Sequence, residues 1–141
     1  MTIRVLAIGI LGMALLFWLQ GTTPSTAQTP SAPDASQGAA PPYDDELRRL
    51  AEILGGLHYL RPLCGVQGEG QRWRDEMTAL LEAEQPSASR RGQLIASFNR
   101  GYAGFANVYR SCTPSARLAV QRHLKEGARL AHEVVVRYGG N

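Results

Sequence analysis

The chain has 141 residues, 44% hydrophobic and 19% charged, with 15 Lys+Arg against 12 Asp+Glu, which allows one small domain and little room for a second. A net charge of +3, without any run of five like charges, is too slight for a nucleic-acid arm. Two cysteines cannot build a four-cysteine zinc site, and no Cys-x-x-Cys occurs.

Met1–Arg4 carries one positive charge, Val5–Leu19 is an unbroken apolar run, and Ser25-Thr26-Ala27 has the small-x-small form that a signal peptidase accepts. That order reads as a secretory signal peptide over residues 1–27, cleaved after Ala27. The competing reading is a retained membrane anchor. Fifteen residues at about 1.5 Å each span only about 22 Å, short of a hydrocarbon core of ~30 Å. The first cysteine is Cys64, so no lipid-attachment cysteine follows the apolar run. Residues 28–42 (QTPSAPDASQGAAPP) have no large apolar side chain. Such a stretch buries too little surface to offset its ordering entropy and reads as a disordered linker. The helical domain is then expected over residues 43–138.

Asp44, Asp45 and Glu46 stand where a helix N-terminus favours negative charge. Leu47, Leu50, Leu54 and Leu57 follow at helical spacing, and Arg61-Pro62 is expected to end this first helix. Gly55-Gly56 within it costs about 2 kcal/mol against Ala-Ala, and permits a close backbone approach or a kink. After the loop Gly65–Gly70, a second helix is predicted over 71–84, with Trp73, Met77, Leu80 and Leu81 on one face. A third is predicted over 89–111, striped by Leu94, Phe98, Tyr102, Phe105 and Tyr109, with Ser97, Gly101, Gly104 and Val108 as a small row alongside. Thr113-Pro114 signals a fourth, Thr as N-cap and Pro at the first helical position, which runs through Val120, Leu124, Gly127 and Val134 to Tyr138. The fold class is all-α, a compact bundle of about four helices with one disulfide.

Export into an oxidising compartment favours disulfides. In an up-down-up-down bundle the C-terminal ends of helices 1 and 3 share a pole, which makes a Cys64–Cys112 bridge geometrically plausible. The rival reading is a cysteine nucleophile assisted by a histidine such as His58, which needs a free thiol of lowered pKa.

His123 and His132 are nine residues apart, on opposite sides of one helix, and cannot share an ion. Each histidine, His58 included, reads as a hydrogen-bonded packing residue before it reads as a ligand. Arg74 and the Trp73 that precedes it lie in the densest functional-looking stretch, QRWRDEM over 71–77. Its ordinary reading is a solvated face over a buried Trp; its functional reading is an arginine cradle for carboxylates. Tyr102 and Tyr109 are core residues or the lining of a ligand groove. Arg61, Trp73, Arg74, Arg100, Tyr102 and Tyr109 are therefore the candidate binding surface. No Ser-His-Asp order, phosphate loop or supported pair of acids emerges, so no catalytic, cofactor or metal residue is assigned.

The stretches LHYLRPLCG (57–65), QRWRDEM (71–77), SFNRGY (97–102) and YRSCTP (109–114) together resemble a family of small exported alphaproteobacterial proteins of unknown function. The resemblance implies a Gram-negative periplasm and no activity. The shared stretches contain both Cys64 and Cys112. The resulting expectation is a periplasmic, non-enzymatic binding or accessory protein of the envelope, contacting another protein or cell-wall material. Nucleic acid is not an expected partner, and membrane contact is limited to the signal peptide before cleavage. The alternatives are a small-molecule carrier with a pocket between helices 2 and 3 near Trp73, Tyr102 and Tyr109, and an unrecognised hydrolase.

Overall fold

Leucine spacing and an acidic first turn produce the first helix, α1 (Asp44–Leu63), in a computed structural model that describes residues 39–66 and 68–139. Three more helices follow: α2 (Glu69–Glu84), α3 (Ala88–Ala106) and α4 (Pro114–Tyr138). The proposed signal peptide and most of the linker, residues 1–38, lie outside the described residues, as do Gln67, Gly140 and Asn141. Helix α1 is the hub, since each of the other three packs mainly against it. Its buried residues therefore occupy more than one face: Leu47, Ala51, Ile53, Leu54, Leu57 and Leu60. Trp73, Met77 and Leu81 close the core from α2, Leu94 and Phe98 from α3, and Ala116, Val120 and Leu130 from α4.

The glycines of α1 set its distance from α3. A Cβ on Gly55 would stand 1.9 Å from the Phe98 carbonyl oxygen, and one on Gly101 1.9 Å from that of Glu52. Backbone thus lies on backbone at this crossing. Of the small row, Ser97 and Gly101 are buried there, whereas Gly104 and Val108 are exposed.

Helix α2 starts at Glu69, two residues early and inside the expected loop, and α3 at Ala88, one residue early; the ends of α1 and α3 also differ from the sequence expectation. Helix α1 continues through Pro62 to Leu63. A proline in the last turn forfeits one hydrogen bond and cannot disturb turns beyond it. The stop comes from Gly65, whose φ of 81° is left-handed. Its N–H donates to the Pro62 carbonyl and that of Val66 to Arg61, a Schellman closure. Helix α3 ends at Ala106, five residues before Ser111. There the Val108 and Tyr109 N–H groups both turn back to the Phe105 carbonyl. Cys112 consequently lies in the 107–113 connection rather than at a helix end. Five more helical residues would carry the chain about 7 Å along the α3 axis, whereas the observed turn brings Cys112 to 4.8 Å from Cys64, Cα to Cα. The two form a disulfide, and no free cysteine remains among the described residues. The Thr113 side chain then caps α4 by accepting from the Ala116 N–H.

An ionic cluster joins three helix ends. The Arg90 guanidinium of α3 donates to Asp44 at the start of α1 and to Glu84 at the end of α2, at 2.5 and 2.9 Å. The side chains of these three are 14%, 8% and 17% exposed.

Candidate functional site

One cleft is built by α1, the end of α3, the 107–113 connection and one face of α4. Ser115, Leu118, Ala119, Arg122, His123 and Glu126 line it from α4, with spacings of three, four, seven, eight and eleven from the first. Those are the offsets that share a helix face. Arg49 enters from α1, Phe105 from α3 and Tyr109 from the connection. The volume is about 460 Å³, within the range of small-molecule sites.

Gly56 shapes the floor. A Cβ there would come within 2.9 Å of the Phe105 ring and 3.0 Å of the His123 ring, so its absence lets both rings lie against α1. The two rings meet edge to face at 5.0 Å, and Phe105 lies nearly parallel to Tyr109 at 6.1 Å. Arg49 grips Glu126 with two parallel hydrogen bonds, Nε to Oε1 at 2.8 Å and a terminal nitrogen to Oε2 at 2.9 Å. This pairing holds the Glu126 carboxyl below its ordinary range and raises the Arg49 guanidinium. Burial, reinforced by the Arg49 charge, lowers the His123 imidazole and so favours its neutral form. Its Nδ1 is buried; the Ala119 carbonyl one turn earlier is near enough to favour the charged ring but is not in hydrogen-bonding geometry with that atom.

The cleft wall is tied down twice. The Tyr59 hydroxyl donates to the Tyr109 carbonyl oxygen, and three residues later Cys112 is bonded to Cys64. Tyr109 therefore sits on a short segment anchored to α1 at Tyr59 and to the residue that caps α1, Cys64.

The other candidates from the sequence stand elsewhere. Arg61 is paired with Glu69 across the α1–α2 connection, and Trp73 belongs to the core beneath the Arg72 guanidinium. Arg74 is exposed beside a smaller hollow of about 230 Å³ between α2 and α3, lined also by Met77, Thr78, Ile95, Phe98 and Asn99. Arg100 donates to the Ser97 hydroxyl. Tyr102 is 41% exposed, with its ring edge-on to Tyr59 and tilted over His58. Of the six, Tyr109 alone lines the cleft; Trp73 and Tyr102 do not. The His58 Nδ1–H donates to the Gly70 carbonyl, a packing role. Arg49, Arg122 and Glu126 were absent from the sequence candidates; the α4 members share a readable face, but Arg49 comes from 77 positions away.

Among the described residues no three His, Cys, Asp or Glu side chains are grouped to hold a metal ion, and no helix is long and apolar enough to cross a membrane. Residues 42–138 match the family model described as "Protein of unknown function (DUF2385)". The chain belongs to this family. The DUF2385 match spans all four helices, both cysteines and the whole cleft. No curated protein and no solved structure matches the chain.

Proposed function

We propose that this DUF2385 protein is exported to the periplasm of a Gram-negative bacterium and acts there as a non-enzymatic binding or accessory protein of the envelope, with the α3–α4 cleft as its binding site. The observation that carries the reading is the double anchoring of the Tyr109 segment. A wall held by a disulfide and a side-chain hydrogen bond is pre-organised, so a ligand need not supply the entropy of ordering it. The signal-peptide pattern of residues 1–27 and the disulfide are both consistent with an oxidising destination. Catalysis is the weaker reading, because Glu126 spends both oxygens on Arg49 and a carboxylate held ionised in this way is a poor base. A carrier of small molecules is the second reading, favoured by the cleft volume.

The test is site-specific photo-crosslinking in periplasm, with the crosslinking residue placed at Leu118 in the cleft and, as control, at the exposed Glu76 on α2. Intact-mass analysis of the exported chain accompanies it. The expected result is a mass beginning at Gln28 and adducts enriched at Leu118 over Glu76. A chain retained in the cytosol, or equal crosslinking at both positions, would overturn the proposal.

A further inference from the structure

We propose that the α3–α4 cleft binds a carboxylate carried on an aromatic or branched aliphatic group. This rests on reading the cleft as the binding site and adds the chemistry of what enters it.

The first support is charge. Of the ionisable residues lining the cleft, Arg49 and Glu126 neutralise one another through two hydrogen bonds. Arg122, one turn before Glu126 on α4, would ordinarily pair with it at this spacing. In the structure Glu126 pairs instead with Arg49, and Arg122 forms no ion pair among the described residues. The unbalanced charge in the cleft is thus a single guanidinium, whose planar fork fits a carboxylate bidentately. A doubly charged phosphate is a poorer match, since there is one uncompensated cation to receive it.

The second support is the apolar lining. Phe105 and Tyr109 present nearly parallel rings, and Leu118 and Ala119 face the same space from α4. Leu118 is 45% exposed on the helix face that carries Arg122. A group with a flat or branched apolar body and one charged end would cover the ring and the leucine while its head met the guanidinium. The third support is size. About 460 Å³ accepts a side-chain-sized group with its charged end and excludes a folded domain. A protein partner would therefore engage the cleft through its chain terminus. A free carboxylic acid and a terminal residue of a peptide share this chemistry.

The experiment is a ¹H–¹⁵N NMR titration of the oxidised, exported chain with three probes. These are 3-phenylpropionate, N-acetyl-Ala-Phe with a free carboxylate, and the same peptide amidated. Saturable shifts are expected at Tyr109, Ser115, Leu118, Ala119 and Arg122 with at least one carboxylate probe. Binding should weaken at least tenfold on amidation and at least tenfold in Arg122→Gln, whereas Arg91→Gln, an exposed change on α3, leaves it unchanged. The ligand-free spectrum of each variant verifies its fold. Tighter binding of phenylpropionate identifies a free acid as the source, and tighter binding of the peptide a chain end; both support the proposal. No saturable shift with either carboxylate, equal binding of the amidated peptide, or full affinity in Arg122→Gln would overturn it. Crosslinking from Leu118 that persists in any of those cases leaves the proposed function standing and removes the carboxylate chemistry alone. Carboxylate binding without any crosslinked partner does the reverse.

Discussion

Replacing Gly101 by Ala tests whether the crossing of α1 and α3 is a true backbone contact. On an exposed helix the change would stabilise by up to about 1 kcal/mol through helix propensity. Here the added methyl would stand 1.9 Å from the Glu52 carbonyl oxygen and 3.0 Å from the Gly56 nitrogen. A carbon–oxygen contact needs about 3.3 Å, so the helices must part by more than about 1 Å. Both obstructing atoms are backbone and no rotamer can yield, which places the strain near the upper end of the 1–3 kcal/mol range for overpacking. Subtracting the propensity gain leaves a net loss of about 2 kcal/mol, or about 8–16 °C in Tm for a domain of this size. Gly92→Ala is the internal control, because nothing lies within 4 Å of its added Cβ and the site is exposed on the same helix. It should gain up to about 1 kcal/mol. Thermal unfolding of the oxidised chain followed by far-UV circular dichroism measures both. Should Gly101→Ala melt at or above the parent temperature, the tight crossing is refuted.

The Cys64–Cys112 bridge joins residues 48 apart, so the double serine variant should lose about 4 kcal/mol in urea denaturation by the chain-entropy model; an unchanged midpoint would contradict this. Arg90→Gln leaves the Asp44 and Glu84 carboxylates without their cation, and should cost about 2–3 kcal/mol in the same assay, with partial recovery in Arg90→Lys. For His123, burial followed by the Arg49 charge lowers the folded-state pKa from its ordinary 6.5. The unfolded chain then binds more protons in the window below about 6.5, so stability present above that pH is lost as pH falls toward the folded-state value. His123→Gln should flatten this part of the curve, and a slope identical to the parent's would show that the ring is not protected.

The helices themselves were legible in the sequence because their causes are local. Leu47, Leu50, Leu54 and Leu57 repeat at helical spacing, and Thr113-Pro114 announces α4, which runs to Tyr138 as expected; of its expected stripe Val120 is buried but Leu124 is exposed, and Leu130, outside that stripe, is the buried residue farther along. A helix bonds residues four apart, and four-residue neighbourhoods are what a sequence displays. The pairing of Cys64 with Cys112 was also reachable, since two cysteines leave one intrachain partner each. What only the tertiary structure decided was how elements meet. The Gly55–Gly56 pair reads locally as a defect or a point of close approach, and only elements brought in from elsewhere, the Phe98 carbonyl against Gly55 and the Phe105 and His123 rings against Gly56, make it a contact surface. The end of α3 at Ala106 follows from a turn that delivers Cys112 to Cys64, a demand that residues 107–111 do not encode. The cleft depends most on long-range placement: one face of α4 holds Arg122, His123 and Glu126, but the cation that neutralises Glu126, and so leaves Arg122 available, is Arg49 of α1. Charge balance at a site is a sum over neighbours in space, and a linear pattern shows neighbours along the chain alone.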